Sequence, residues 1–114
     1  MPHITLDCSE NIVKLLDPEE IIRQVHDCAE KTGLFRKGDI KVRLQVFNMY
    51  TVGGTKNDFI HVLAHIMAGR TTAQKKEFSK CVVTLLKDLF PAVPVISMDV
   101  RDIDKSTYHN RYTV

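Results

Sequence analysis

Twice in 114 residues the chain passes from an alternating segment into an amphipathic helix and out again into an extended segment. A period of two and a period near 3.6 cannot be satisfied by one backbone conformation, so the order of periods sets the order of elements. In His3–Cys8, Ile4, Leu6 and Cys8 share one face while His3, Thr5 and Asp7 take the other. That predicts a half-buried strand starting almost at the first residue, which would hold the amino end inside the fold instead of letting it fray. Asp17-Pro18-Glu19-Glu20 reads as a helix start, with a capping aspartate, a proline suited to the first turn and acids where the macrodipole favours them. Ile21, Ile22, Val25, Cys28 and Ala29 continue at helical spacing until Gly33.

The second half repeats the scheme with little identity. Lys41–Phe47 alternates with Val42, Leu44 and Val46 on one face, and Gly53-Gly54 predicts a turn within residues 51–58. Phe59–Ala68 is a nearly continuous apolar run, read as a central strand that is apolar on both faces. Thr71 opens a second helix with Gln74 as its capping-box partner, Phe78, Cys81, Val82, Leu85 and Leu89 form its stripe, and Pro91 stops it. Val95–Val100 supplies a last strand, and the polar tail from Asp102 has Tyr108 and Tyr112 as anchors. The expectation is a single α+β domain over residues 1–114: two β-α-β units forming a four-stranded sheet with two helices on one face. The uncovered face would then meet another subunit.

Composition narrows the function. A chain 44% hydrophobic and 26% charged is that of a globular domain, and a net charge of +2 with no basic run excludes a general nucleic-acid or membrane-surface protein. No stretch reaches the ~20 apolar residues of a membrane span, and the start lacks the pattern of a signal peptide, so the cytoplasm is expected. No strand offers two aromatics at period two, which sets aside an RNA-binding sheet. Cys8, Cys28 and Cys81 are odd in number and without C-x-x-C spacing. They predict three separate buried thiols rather than a disulfide or zinc framework. His61 and His65 in a strand stand about 13 Å apart, so no metal site is expected from them.

Three blocks in order carry a specific resemblance: PHITLDCSENI, TGLFRKGDIKVR and FIHVLAHIMAGRT. Together they resemble the 5-carboxymethyl-2-hydroxymuconate isomerases of the tautomerase superfamily, which includes 4-oxalocrotonate tautomerase and macrophage migration inhibitory factor. The resemblance implies a homotrimer, no metal or organic cofactor, a small-molecule carboxylate substrate and catalysis by an amino-terminal proline. Pro2 would become a secondary amine once Met1 is removed. A general base near neutral pH then needs only burial and nearby cations to disfavour its protonated form. The same resemblance implies that Arg70 grips a substrate carboxylate; Lys41 and Arg43, two apart in a strand, share a face that would meet a second anionic group. His3 would tune Pro2, and Phe47 and Tyr50 would line the pocket. The chain departs from the family pattern in carrying Lys41 where an arginine is expected, which keeps the charge and loses the planar fork. It also has no tryptophan in or near residues 47–58. Two readings stay open beside the named isomerase: a tautomerase for another 2-hydroxymuconate or an enolpyruvate, and a non-catalytic trimeric binding protein on the same scaffold.

Overall fold

The computed structural model describes Met1–Val114. Its four strands are β1 (His3–Ser9), β2 (Lys41–Phe47), β3 (Phe59–Met67) and β4 (Val95–Ile103). Three helices accompany them: α1 (Ile12–Leu15), α2 (Pro18–Lys31) and α3 (Thr72–Leu89), with a 3-10 turn at Lys37–Asp39 before β2. The sheet order is β2-β1-β3-β4. β1 runs parallel to β2 and β3 parallel to β4, each pair joined by a helical crossover. β1 and β3 meet antiparallel at the centre, with His3 opposite His65 and Cys8 opposite Ile60. Two β-α-β halves joined back to back make the pseudo-repeat that the order of periods predicts.

Local chemistry sets the helix boundaries. Asp17 caps α2 by accepting a hydrogen bond from the Glu19 amide at 2.8 Å, and Gly33 leaves it at φ +72°, a left-handed value that suits glycine. The capping box of α3 is complete, with the Gln74 amide donating to Thr71 Oγ1 at 3.1 Å and the Thr71 amide to Gln74 Oε1 at 2.8 Å. Gly53 and Gly54, at φ +56° and +77°, make the tight turn closed by the Val52–Thr55 bridge.

The core lies between the sheet and α2 and α3. Ile4, Leu6, Ile60, Val62, Ile66 and Phe78 are within 1% of complete burial. The other sheet face has no covering layer and is more polar than the sequence reading expects. On β3 it alternates Phe59, Leu63 and Met67 with His61 and the exposed His65. Thr5 and Asp7 lie beside them on β1, and Ser97 and Asp99 on β4. β3 is therefore apolar on its helix-facing side and mixed on its other side. Tyr108 is the anchor of the tail, its hydroxyl 3.1 Å from His3 Nε2, whereas Tyr112 is 88% exposed and anchors nothing.

The cysteines correct the sequence reading. Only Cys8 is a free buried thiol. Cys28 of α2 and Cys81 of α3 are joined as a disulfide across the helix pair, with Cα atoms 6.7 Å apart. Their separation of 53 residues gave no local signal of the pairing.

Candidate active site

The amino end is fixed by the first turn of the sheet. Pro2 is fully buried, and its carbonyl accepts a hydrogen bond from the Lys41 amide at 3.1 Å, continuing the β1–β2 ladder to the terminus. The half-buried amino group at Met1 is held below its ordinary value of about 8.0. Desolvation is the first cause; Lys41 and Arg70 add to it and Asp39 opposes it. Two of the expected cations, contributed by separate halves of the chain, thus converge on the terminus.

Arg70 reaches that position through the turn between β3 and α3. Gly69, at φ +126°, makes the bend, and Thr71 caps the helix immediately afterwards. The half-buried Arg70 guanidinium donates through Nη2 to the Leu34 carbonyl and lies 5.4 Å from the Phe35 ring centroid. Phe35 in turn packs edge-on to the buried Phe78 at 5.2 Å. One N–H of the arginine is therefore fixed to the protein, and the remaining donors of its fork are uncommitted. Lys41 is placed differently. Its Nζ donates to the Asp39 carbonyl at 2.8 Å and stands 4.0 Å from Met1 Sδ, so it acts near the terminus as a point charge.

His3 and Arg43 share the uncovered sheet face. Arg43 Nη1 is 3.5 Å from His3 Nδ1 and Nη2 is 3.5 Å from Thr5 Oγ1, both at the outer limit of a hydrogen bond. Desolvation, then Lys41 and Arg43, lower the His3 pKa, which favours a neutral imidazole.

Phe47 and Tyr50 do not join this group within one chain. Lys41 pairs with His3 and Phe47 with Ser9, so Phe47 lies six residues further along β2. At about 3.3 Å per residue that is roughly 20 Å from Lys41. There the two rings pack on Phe59, with centroids 6.4 and 5.1 Å away, and Lys56 Nζ lies 4.4 Å from the Tyr50 centroid. Conversely, Leu34, Phe35 and Asp39 touch or influence the candidate site although sequence reasoning gave them no role. Their only signal was membership of the TGLFRKGDIKVR block.

Known proteins resemble this chain in sequence and in fold. The family model described as 5-carboxymethyl-2-hydroxymuconate isomerase matches residues 2–112. The 5-carboxymethyl-2-hydroxymuconate Delta-isomerase of Escherichia coli is 25% identical over 95 residues, covering 82% of this chain and 75% of its own. The crystal structure of a 5-carboxymethyl-2-hydroxymuconate isomerase from Deinococcus radiodurans R1 superposes with a TM-score of 0.84 at 20% identity, over 96% of this chain and 88% of that one. The Q0 fused 4-OT wild type symmetric trimer superposes at 0.78 with 13% identity, over 97% and 93%. The fold is thus that of the tautomerase superfamily, and the chain belongs to the 5-carboxymethyl-2-hydroxymuconate isomerase family, a family of enzymes.

Proposed function

We propose that the protein, once Met1 is removed, catalyses a 1,3-proton shift on a carboxylated hydroxymuconate such as 5-carboxymethyl-2-hydroxymuconate. The Pro2 nitrogen takes the proton from the dienol hydroxyl, the electron pair moves through the conjugated system, and the proton is returned to carbon to give the unsaturated ketone. Arg70 holds one carboxylate by its free N–H groups, and Lys41 and Arg43 face the remaining negative charge. The observation that carries this reading is the fully buried Pro2, tied to β2 through the Lys41 amide, beside a half-buried amino end that desolvation, Lys41 and Arg70 hold below its ordinary value against Asp39. Removal of Met1 would move the amine to Pro2, whose ring is buried at the start of β1.

The reading includes a homotrimer, supported by the trimeric fold neighbour and by an uncovered sheet face that mixes Leu63 and Met67 with polar groups. Across such a trimer the distant Phe47 and Tyr50 of one protomer are available to the site of another, which keeps them as pocket residues. The reaction uses no cofactor, its partner is a small carboxylate, and its setting is cytoplasmic catabolism of aromatic compounds, in the homoprotocatechuate branch.

One observation favours a second substrate class. Lys41 is bonded to the Asp39 carbonyl and lacks a fork, so a single strong carboxylate grip at Arg70 suits a simpler 2-hydroxymuconate or an enolpyruvate. Ketonisation followed by ultraviolet absorbance, on protein whose mass confirms loss of Met1, tests both. Fast turnover of the tricarboxylate supports the named isomerase; turnover of only the simpler enols supports the second class; none with either returns the scaffold to a binding role.

A further inference from the structure

On the helical side of the molecule, opposite the uncovered sheet face, the disulfide joins α2 and α3, the two long helices that cover the core. Cys28 is 7% exposed and Cys81 is half-buried. A cleft of about 520 Å³ lined by Lys31, Thr32, Leu34 and Cys81 lies on one side of it. A second of about 460 Å³, lined by Arg23, Lys31, Cys28 and Cys81, lies on the other. Both sulfur-bearing residues therefore border open space, and Lys31 borders both clefts. Glu77 lines the first cleft and Asp27 the second, so both openings carry charge of both signs beside the sulfurs. Cys8 is the contrast: it is buried, and desolvation, then the Asp7 charge, push its thiol up to about 11.

The clefts also touch the segment that holds Arg70. Thr32 Oγ1 donates to the Ala29 carbonyl at 2.6 Å and accepts from the Leu34 amide at 3.2 Å, and the Leu34 carbonyl is the acceptor for Arg70. Phe78, three residues before Cys81 on α3, supports Phe35. A change in how α2 and α3 are joined at Cys28 and Cys81 thus reaches Leu34 and Phe35 from both helices.

We propose that Cys28 and Cys81 form a reversible thiol–disulfide site, exchanging with low-molecular-weight disulfides through these clefts and setting the rigidity of the Leu34–Phe35 support of Arg70. In the oxidising direction the Cys81 thiolate attacks the small disulfide, forming a mixed disulfide and releasing one small thiolate. The Cys28 thiolate then attacks the Cys81 sulfur, forming the intramolecular bond and expelling the second. Two protein thiols lose two electrons and two protons, and the small disulfide becomes two thiols. In a reducing compartment such a pair spends its time mainly as the dithiol and closes under oxidative load. The proposal does not depend on the substrate, because its readouts need no turnover.

The test equilibrates the whole protein in glutathione and glutathione disulfide at graded ratios, quenches with acid and traps free thiols with a maleimide for mass spectrometry. Expected is one two-electron transition, a Cys28–Cys81 cross-linked peptide, and Cys8 alkylated only after unfolding. The oxidised form should melt roughly 10 °C higher, since the bridge closes a long loop in the unfolded chain. Its Leu34 and Phe35 amides should exchange hydrogen several-fold more slowly. Cys81→Ser should abolish the transition and melt like the reduced protein. A pair that stays reduced at every ratio, one that resists excess thiol, or exchange at Leu34 and Phe35 that is the same in both states would each overturn the proposal.

Discussion

Replacement of Arg70 by alanine separates a substrate grip from a structural prop, because the structure gives this side chain both kinds of contact. Its Nη2 satisfies the Leu34 carbonyl, and its guanidinium faces the Phe35 ring. Losing a hydrogen bond to a part-buried carbonyl costs about 1 kcal/mol, and losing a half-exposed cation–π contact about 0.5–1 kcal/mol. For a domain of this length the sum lowers the melting temperature by roughly 6–8 °C. A charge-assisted grip on a substrate carboxylate is worth about 1.5–3 kcal/mol, or roughly 10- to 150-fold in kcat/KM. The assay is ketonisation of the hydroxymuconate well below the melting temperature of both proteins, with kcat and KM resolved. Expected is the larger change in KM, since a carboxylate is present in ground and transition states alike. Arg70→Lys keeps the charge and loses the fork, and should fall between the two. If Arg70→Ala melts several degrees lower yet keeps kcat/KM within twofold of the parent, the arginine is a prop for Leu34 and Phe35, and the assignment of the carboxylate site is wrong.

Three further outcomes follow from the same geometry. Pro2→Ala, processed to expose its primary amine, should remain folded and self-associated by gel filtration but lose on the order of 10²-fold in kcat; unchanged turnover would remove Pro2 from the mechanism. With Met1 in place, desolvation, Lys41 and Arg70, opposed by Asp39, hold the amino end below about 8.0; if Pro2 inherits those surroundings once Met1 is removed, kcat/KM should rise with pH and level off below that value, and an acidic limb centred at 8 or above would contradict the assigned environment. The His3 pKa is lowered from 6.5 by desolvation first, then by Lys41 and Arg43. The unfolded chain therefore binds more protons at His3 than the native one as pH falls below 6.5, and the native state loses stability there. His3→Gln should flatten that part of the urea-midpoint profile between pH 7 and 5, and an unaltered slope would show that other groups set it.

The parts of the fold written in short-range patterns were legible in the sequence. Asp17-Pro18 and Thr71 with Gln74 mark helix starts because a cap is satisfied within three residues. The alternation in β1 and β2 marks strands because one face is turned to the core. What was missed depends on distant partners. α1 is a single turn whose Asn11 makes no side-chain cap, so nothing local announces it. β4 runs on to Ile103, past the expected end at Val100, because pairing with His65, Ile66 and Met67 of β3 holds the polar Arg101 and Asp102 in register. The Cys28–Cys81 contact exists only after two helices dock. Phe47 ends the strand that Lys41 begins, and the length of β2 carries its ring away from the amino end of the same chain, a separation visible only once the strand register is known.

The exchange of an expected arginine for Lys41 is best understood through the two separate demands placed on cations at such a site. Lowering the pKa of an amine needs only positive charge nearby, and a lysine ammonium supplies that as well as a guanidinium does. Orienting a carboxylate needs a rigid fork with free donors, and here only Arg70 combines a fork with a fixed position, since the Leu34 carbonyl and the Phe35 face hold it. Lys41, bonded to the Asp39 carbonyl, keeps the first task and gives up the second. Asp39 works against Lys41 and Arg70, so the amine is poised by a balance and not by maximal positive charge. In the proposed arrangement Lys41 serves base strength alone while Arg70 serves both base strength and orientation, so a change at Lys41 can retune the amine without disturbing the carboxylate grip.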